Sequence, residues 1–391
     1  MKGEGFFRFD KPLAIAAVAL SAVGMVFIYS ASSYSAELQF GDPFRYVETQ
    51  AVALVLGVAV MLALSFVRPE TVKKAAFPLF AAGVLLLTAV FIPGLGVESY
   101  GAKRWLNFGF FTVQPSEYAK FALVVFLAAF AAKRGVGTFP RALVFLSAAG
   151  IVCLLLLLEP NMSVTICVGA AAFALLFAAG AKPSHLVVIL VPVAVCGVAL
   201  VVAEPYRVRR LLAFLDPWSS PLDEGYQLIQ SYYALGSGGL FGVGLFSSRQ
   251  KYLFLPFAES DFILSVIGEE TGFFGVICVL ALFAVVAVRG VLIALRARDA
   301  FSCYAAAGVT AVITMQALMN AAVVCGAVPP TGLPLPFVSA GGSSLVCCFA
   351  AVGVLLAVSR HSSGVFLRVP SEAESPSASR LKFAAKRGAA A

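Results

Sequence analysis

The chain has 391 residues, of which 61% are hydrophobic and 12% charged, with a mean hydropathy of +0.95. Soluble domains carry about 25% charged residues, so this composition excludes an ordinary soluble enzyme and indicates a membrane protein. The net charge of +8 does not indicate nucleic acid, because the basic residues sit in short turns between apolar spans.

Lys2, Arg8 and Lys11 precede an apolar run that ends in small residues through Ser35 and Ala36, a pattern shared with signal peptides. The run is long enough to span a bilayer and many spans follow, so it is read as an uncleaved first transmembrane helix. Ten spans are expected, at 13–33, 48–67, 76–93, 118–133, 141–158, 161–181, 185–203, 268–288, 302–327 and 341–359. The runs are continuous rather than alternating, which predicts an all-α polytopic membrane protein and not a barrel.

The turns 68–75, 132–141, 181–185 and 289–300 are basic, carrying among others Lys73, Lys74, Lys133, Arg134, Lys182 and Arg289. The alternate loops hold most of the acids, including Glu37, Glu98, Glu159, Asp216, Glu259 and Asp261. Strict alternation then puts both termini in the cytoplasm and the carboxylate-rich loops outside. One outer loop, about 204–267, is long and rich in aromatic residues, so short helices lying along the membrane surface are expected there, including 225–235. The polar tail 361–391 is expected to be disordered. The eight cysteines form no C-x-x-C pair and read as small core residues rather than a zinc site or disulfide framework.

Within RQKYLFLPFAESDFILSVIGEETG (249–272), Glu259, Asp261, Glu269 and Glu270 stand beside long apolar runs. Ionisable groups near membrane depth are costly and are usually retained for a function. Asp261 is the leading candidate; it could instead cap the following helix, and the two roles are compatible. Glu269 and Glu270 could serve only the positive end of that helix, and Glu259 reads as a solvated loop residue. In GAKRWLNFGFFTVQPSEYAK (101–120), Ser116 and Glu117 behind Pro115 read as a helix start, placing Lys120 one turn in. Lys120 could snorkel to the interface, or form a buried pair with Glu117 facing a cavity. The basic run YRVRR (206–210) suits lipid phosphates. GSGGLFGVG (236–244) fails the dinucleotide spacing at Phe241 and is read as a tight turn. PPTGLPLPFVSAGGSS (329–344) cannot be a continuous helix. The turn Glu159-Pro160-Asn161 is assigned no chemistry.

Together these segments, with YRVRRLLAFLDPW (206–218) and EGYQLIQSYYALGSGGLFGVGL (224–245), resemble the SEDS family (shape, elongation, division and sporulation) over nearly the whole chain. SRQKYLFLP resembles the FtsW/SpoVE branch more than the RodA branch. The resemblance implies polymerisation of peptidoglycan glycan strands from lipid II at the outer face of the bacterial cytoplasmic membrane, for septum formation or sporulation. It also implies a class B penicillin-binding transpeptidase partner among the divisome or elongasome proteins, and undecaprenyl pyrophosphate as product. The family's essential outer-loop aspartate falls on Asp261, its QPSE motif on Gln114–Glu117 (with Ser116), and its last-loop motif on Leu335–Ser344, with Ser339 and Ser343. This chain departs from the family with Phe257 for a common glutamate, Glu159-Pro160-Asn161 for the usual Q-P-D, and Ala340 for an aromatic.

The implied chemistry makes Asp261 the base for the acceptor hydroxyl. Arg104, Lys120, Arg207, Arg210 and Lys251 are candidate partners of the departing pyrophosphate, with a divalent cation such as magnesium or manganese as a further source of charge. A lipid II flippase and a non-catalytic scaffold for the transpeptidase are the rival readings.

Overall fold

Asp10 starts the first helix by accepting the amide of Leu13 at 3.1 Å, and Gly41, at φ 69°, ends it in the left-handed conformation. Between them α1 (Lys11–Phe40) crosses the core. It is followed by α2 (Arg45–Ser65) and α3 (Pro69–Ala89) in this computed structural model. The structure describes residues 9–362 apart from 100, 101, 108, 110, 111, 203 and 204. The expected disordered tail lies outside the described residues, as do the basic residues Lys2 and Arg8.

Three strands, β1 (Gly96–Ser99), β2 (Ala102–Asn107) and β3 (Thr112–Val113), form an antiparallel sheet in the order β1-β2-β3. This small sheet was not foreseen. Its strands are too short to give a readable period-2 pattern, and glycines and phenylalanines interrupt them. The chain continues through α4 (Pro115–Arg134), α5 (Phe139–Leu158), α6 (Met162–Ala178) and α7 (Pro183–Val202). Two short helices, α8 (Pro205–Leu215) and α9 (Tyr226–Gly238), occupy the long loop before α10; α9 does not lie along a surface but packs against α10, with Leu228, Ile229 and Ser231 buried. Leu212 and Leu215 of α8, and Trp218 just after it, are exposed. The last three helices are α10 (Ile263–Leu295), α11 (Ala300–Val324) and α12 (Gly342–Arg360).

Among the described residues, eight helices are long and apolar enough to cross a membrane: α1, α2, α3, α4, α5, α10, α11 and α12. The apolar helices α6 and α7 occupy the remaining two expected spans. The protein is therefore a helical, multi-pass membrane protein. In it α2 packs along α12, α3 along α4, and α10 along α1 and α11. Connections expected outside meet at one end of the bundle: Arg104 bonds the carbonyls of Glu159 and Pro160, and Ser339 bonds that of Ser260. At the other end Arg289 Nε lies 3.0 Å from both carboxylate oxygens of Asp10.

α10 begins at Ile263, five residues before the expected span, and breaks at Gly272 (φ 69°, ψ −166°). The glycine-rich segment after α9 repairs the break. The amides of Val243 and Gly244 donate to the carbonyls of Glu269 and Glu270 at 2.9 and 3.0 Å, and the amide of Phe273 donates to Gly239 at 2.9 Å. A side chain at Gly238 or Gly242 would overlap the main chain of Gly268 or Glu270, so GSGGLFGVG is glycine-rich because two backbones touch there.

Candidate functional site

Asp261 ends the irregular segment that leads into α10. The N-cap position belongs to Phe262, and no side chain caps the helix. The capping role is therefore not realised, and the Asp261 carboxylate is not spent on backbone amides. Its Oδ1 accepts from the Ser260 hydroxyl at 3.1 Å. The side chain is half-buried. Burial pushes its pKa above the ordinary carboxylate value, while the Ser260 hydroxyl and the guanidiniums of Arg104 and Arg210 pull it back. Glu259, half-buried rather than freely solvated, is also raised, chiefly by burial and further by the neighbouring Asp261 charge.

The 325–341 loop is bound to this residue from several sides. Asn320 on α11 donates to the carbonyls of Asp261 and Leu333, both at 2.7 Å. The Ser339 hydroxyl donates to the Ser260 carbonyl at 2.6 Å and accepts the Leu335 amide at 2.7 Å. Gln50 on α2 donates to the Ser339 carbonyl at 3.2 Å and accepts the Gly341 amide at 3.0 Å. Gly332 faces the aspartate so closely that a Cβ there would lie 3.1 Å from its Oδ2. Phe257 and Phe337 hold φ of 56° and 65° on either side of the site, a conformation that bulky residues adopt only under strain.

Lys120 does not snorkel. It is fully buried, with Nζ 2.7 Å from Glu117 Oε2 and 2.6 Å from Gln316 Oε1. Ser344 donates to the same Glu117 oxygen at 2.6 Å, and Gln316 donates onward to the Pro334 carbonyl at 2.9 Å. This polar column joins α4, α11 and α12 beneath the loop. The Gln114 amide donates to the Ser343 hydroxyl at 3.3 Å. Ser116 is buried, and its hydroxyl has no hydrogen-bond partner.

The expected site residues thus divide by location. Arg104 on β2 and Arg210 on α8 act on Asp261. Arg207 belongs to α8, but its side chain lies outside what is described. Gln114, Glu117, Lys120 and Ser343 build the support under the loop, Ser339 ties the loop itself to Ser260, and Ser116 is buried beside them without a partner. Lys251 is elsewhere: it is buried, donates to the Phe246 carbonyl and lies 3.8 Å from Glu270. Glu270 accepts the Ser30 hydroxyl at 2.6 Å and the amides of Phe246 and Ser248 at 3.0 and 3.1 Å. Glu269 accepts the Arg249 amide at 3.0 Å. The two carboxylates therefore fasten the 243–250 segment to α10 and do more than favour a helix end.

Gln316 and Asn320 were missed, although a signal existed. They stand four residues apart inside the apolar run 302–327, hence on one face of one helix, where polar side chains seek specific partners. Among the described residues, no group of three or more His, Cys, Asp or Glu side chains converges as a metal ion would require.

The family model for FtsW, RodA and SpoVE, described as cell cycle protein, matches residues 11–364. The chain is 40% identical over 364 residues to a probable peptidoglycan glycosyltransferase FtsW of Geobacter metallireducens, covering 91% of this chain and 96% of that one. It is 40% identical over 360 residues to stage V sporulation protein E of Bacillus subtilis, covering 90% and 97%. Among solved structures, a chain of a peptidoglycan synthase complex superposes with TM-score 0.77 at 30% identity, covering 91% of this chain and 99% of its own. The rod shape determining protein RodA of Thermus thermophilus gives TM-score 0.68 at 28% identity, covering 91% and 98%. With the match extending from the first span to beyond the last, the chain belongs to the FtsW/RodA/SpoVE family.

Proposed function

We propose that this protein is a peptidoglycan glycosyltransferase that polymerises lipid II at the outer face of the cytoplasmic membrane, in septum formation or sporulation. The observation that carries the reading is the uncapped carboxylate of Asp261, facing Gly332 and influenced by Arg104 and Arg210. The relatives named as glycosyltransferases support it along almost their full length. With both termini cytoplasmic, Asp261 stands at the outer end of the bundle.

In this reaction the C4 hydroxyl of one sugar attacks the anomeric carbon of a lipid-pyrophosphate-linked donor. Asp261 accepts the hydroxyl proton as the new C–O bond forms and the bond to pyrophosphate breaks. One base and one displacement give inversion at the donor carbon. A carboxylate whose pKa is raised by burial is a better proton acceptor than a solvated one. Arg104 and Arg210 stabilise the charge on the departing pyrophosphate. The partner proposed is a class B penicillin-binding transpeptidase, in keeping with the resemblance to a chain of a peptidoglycan synthase complex.

A flippase would need polar groups free to guide a headgroup across the bilayer. The Glu117–Lys120 pair is instead committed to Gln316 and Ser344, which favours the enzyme. Purified protein in vesicles with fluorescent lipid II, with and without the transpeptidase, separates the readings. Polymer supports the glycosyltransferase, inward-to-outward dye accessibility supports a flippase, and neither supports a scaffold.

A further inference from the structure

Glu159 ends α5 beside Arg104 and is buried, with only 1% of its surface exposed. Neither of its carboxyl oxygens has a hydrogen-bond partner, nor does the buried amide nitrogen of Asn161. A buried carboxylate without donors is unfavourable in its charged form. Arg104 comes to this turn from β2 and donates Nε to the main-chain carbonyl of Glu159 at 3.2 Å and Nη2 to that of Pro160. The same guanidinium acts on Asp261 from across the site.

We propose that Glu159 is a positioning residue for the transfer reaction, whose ionisation determines how much of the Arg104 charge serves Asp261 and the donor phosphates. This rests on the glycosyltransferase reading. With Glu159 protonated, Arg104 stays on the two carbonyls and its charge is directed at the reacting groups. When the proton leaves to solvent, the carboxylate competes for the guanidinium and weakens its hold on the pyrophosphate. The charged group that acts on Glu159 is Arg104 from β2, with Asn161 from its own turn beside it, and Arg104 in turn acts on Asp261. Burial raises the Glu159 pKa to about 8, with Arg104 opposing the rise, so the transition falls where the enzyme would work.

The test is the pH dependence of lipid II polymerisation by the full chain with its transpeptidase. The parental rate at saturating donor should fall several-fold on the alkaline side, through a midpoint near 8. Glu159→Gln, which cannot ionise, should remove that limb, whereas a merely structural role would scale the whole profile. In parallel, an infrared titration of the parental protein should lose a protonated-carboxyl band near 8, and Asp261→Asn should retain that band. This second measurement does not depend on activity or on the folding of Glu159→Gln. An active parental enzyme whose alkaline limb survives Glu159→Gln, or a carboxyl already ionised at neutral pH, overturns this proposal alone. Absence of polymer at every pH counts against the glycosyltransferase reading, and the infrared titration then decides the state of Glu159 by itself.

Discussion

The side-chain amide of Asn320 grips the main-chain carbonyl of Asp261 at 2.7 Å and that of Leu333 at the same distance, so one α11 residue sets both sides of the site. Asn320→Leu removes both bonds and leaves two carbonyls without their donor, at a cost of about 1–3 kcal/mol each where they are buried. Because a misplacement of about 1 Å can cost roughly 100-fold in rate, polymerisation by this variant is expected to fall by ~10- to 100-fold. The protein should still insert and purify. Initial rates with fluorescent lipid II check this, and a parental rate would remove Asn320 from the positioning role.

Gly332 tests the same relationship from the opposite side. Its φ of +69° and its closeness to Asp261 Oδ2 leave no easy place for a methyl group. Gly332→Ala should reduce polymerisation by about tenfold or more through displacement of the carboxylate. Gly150→Ala, in open space on α5, provides the control. Equal activity of the two variants would mean that the loop yields without disturbing Asp261.

Much of this arrangement was legible in the sequence. The apolar runs give the helices because a bilayer demands about 20 such residues per crossing, and Asp261 stands out as a charge placed where charge is costly. Position along the chain could not say which polar groups are spent on one another. Lys251 looks like a phosphate ligand in the sequence but turns inward toward Glu270. Ser339 looks like a substrate contact, yet its hydroxyl is committed to Ser260 and Leu335. The break at Gly272 was equally hidden, because the segment that repairs it lies about thirty residues upstream and pairs with it only in the folded chain.

The buried pair of Lys120 and Glu117 makes a stability prediction. Lys120→Met leaves the Glu117 carboxylate with the Ser344 hydroxyl and no cation, so a loss of about 3–5 kcal/mol is expected. Lys120→Met combined with Glu117→Gln should recover part of that loss, because the buried charge goes with its partner. Thermal unfolding in detergent of the two single variants and the double variant measures the coupling. Strict additivity would contradict a direct pair.

Glu159 gives stability a pH dependence. Its folded-state pKa of about 8 exceeds the ordinary 4.5, so between those values the folded protein holds a proton that the unfolded chain releases. Stability must then decline as pH rises through that window. Glu159→Gln should flatten the decline, raising the unfolding midpoint at alkaline pH relative to the parental protein. Thermal melts at a series of pH values check the slope, and an unchanged slope would mean that the carboxyl is ionised in the folded state.

The most direct measurement is polymer formation from lipid II by purified Asp261→Asn protein with its transpeptidase, beside the parental protein at equal amount in the membrane. Asparagine keeps the shape and the bond to Ser260 but cannot accept the acceptor's proton. The expected result is a loss of about 100-fold or more, with insertion and partner binding intact. Polymerisation by Asp261→Asn near the parental rate would contradict it.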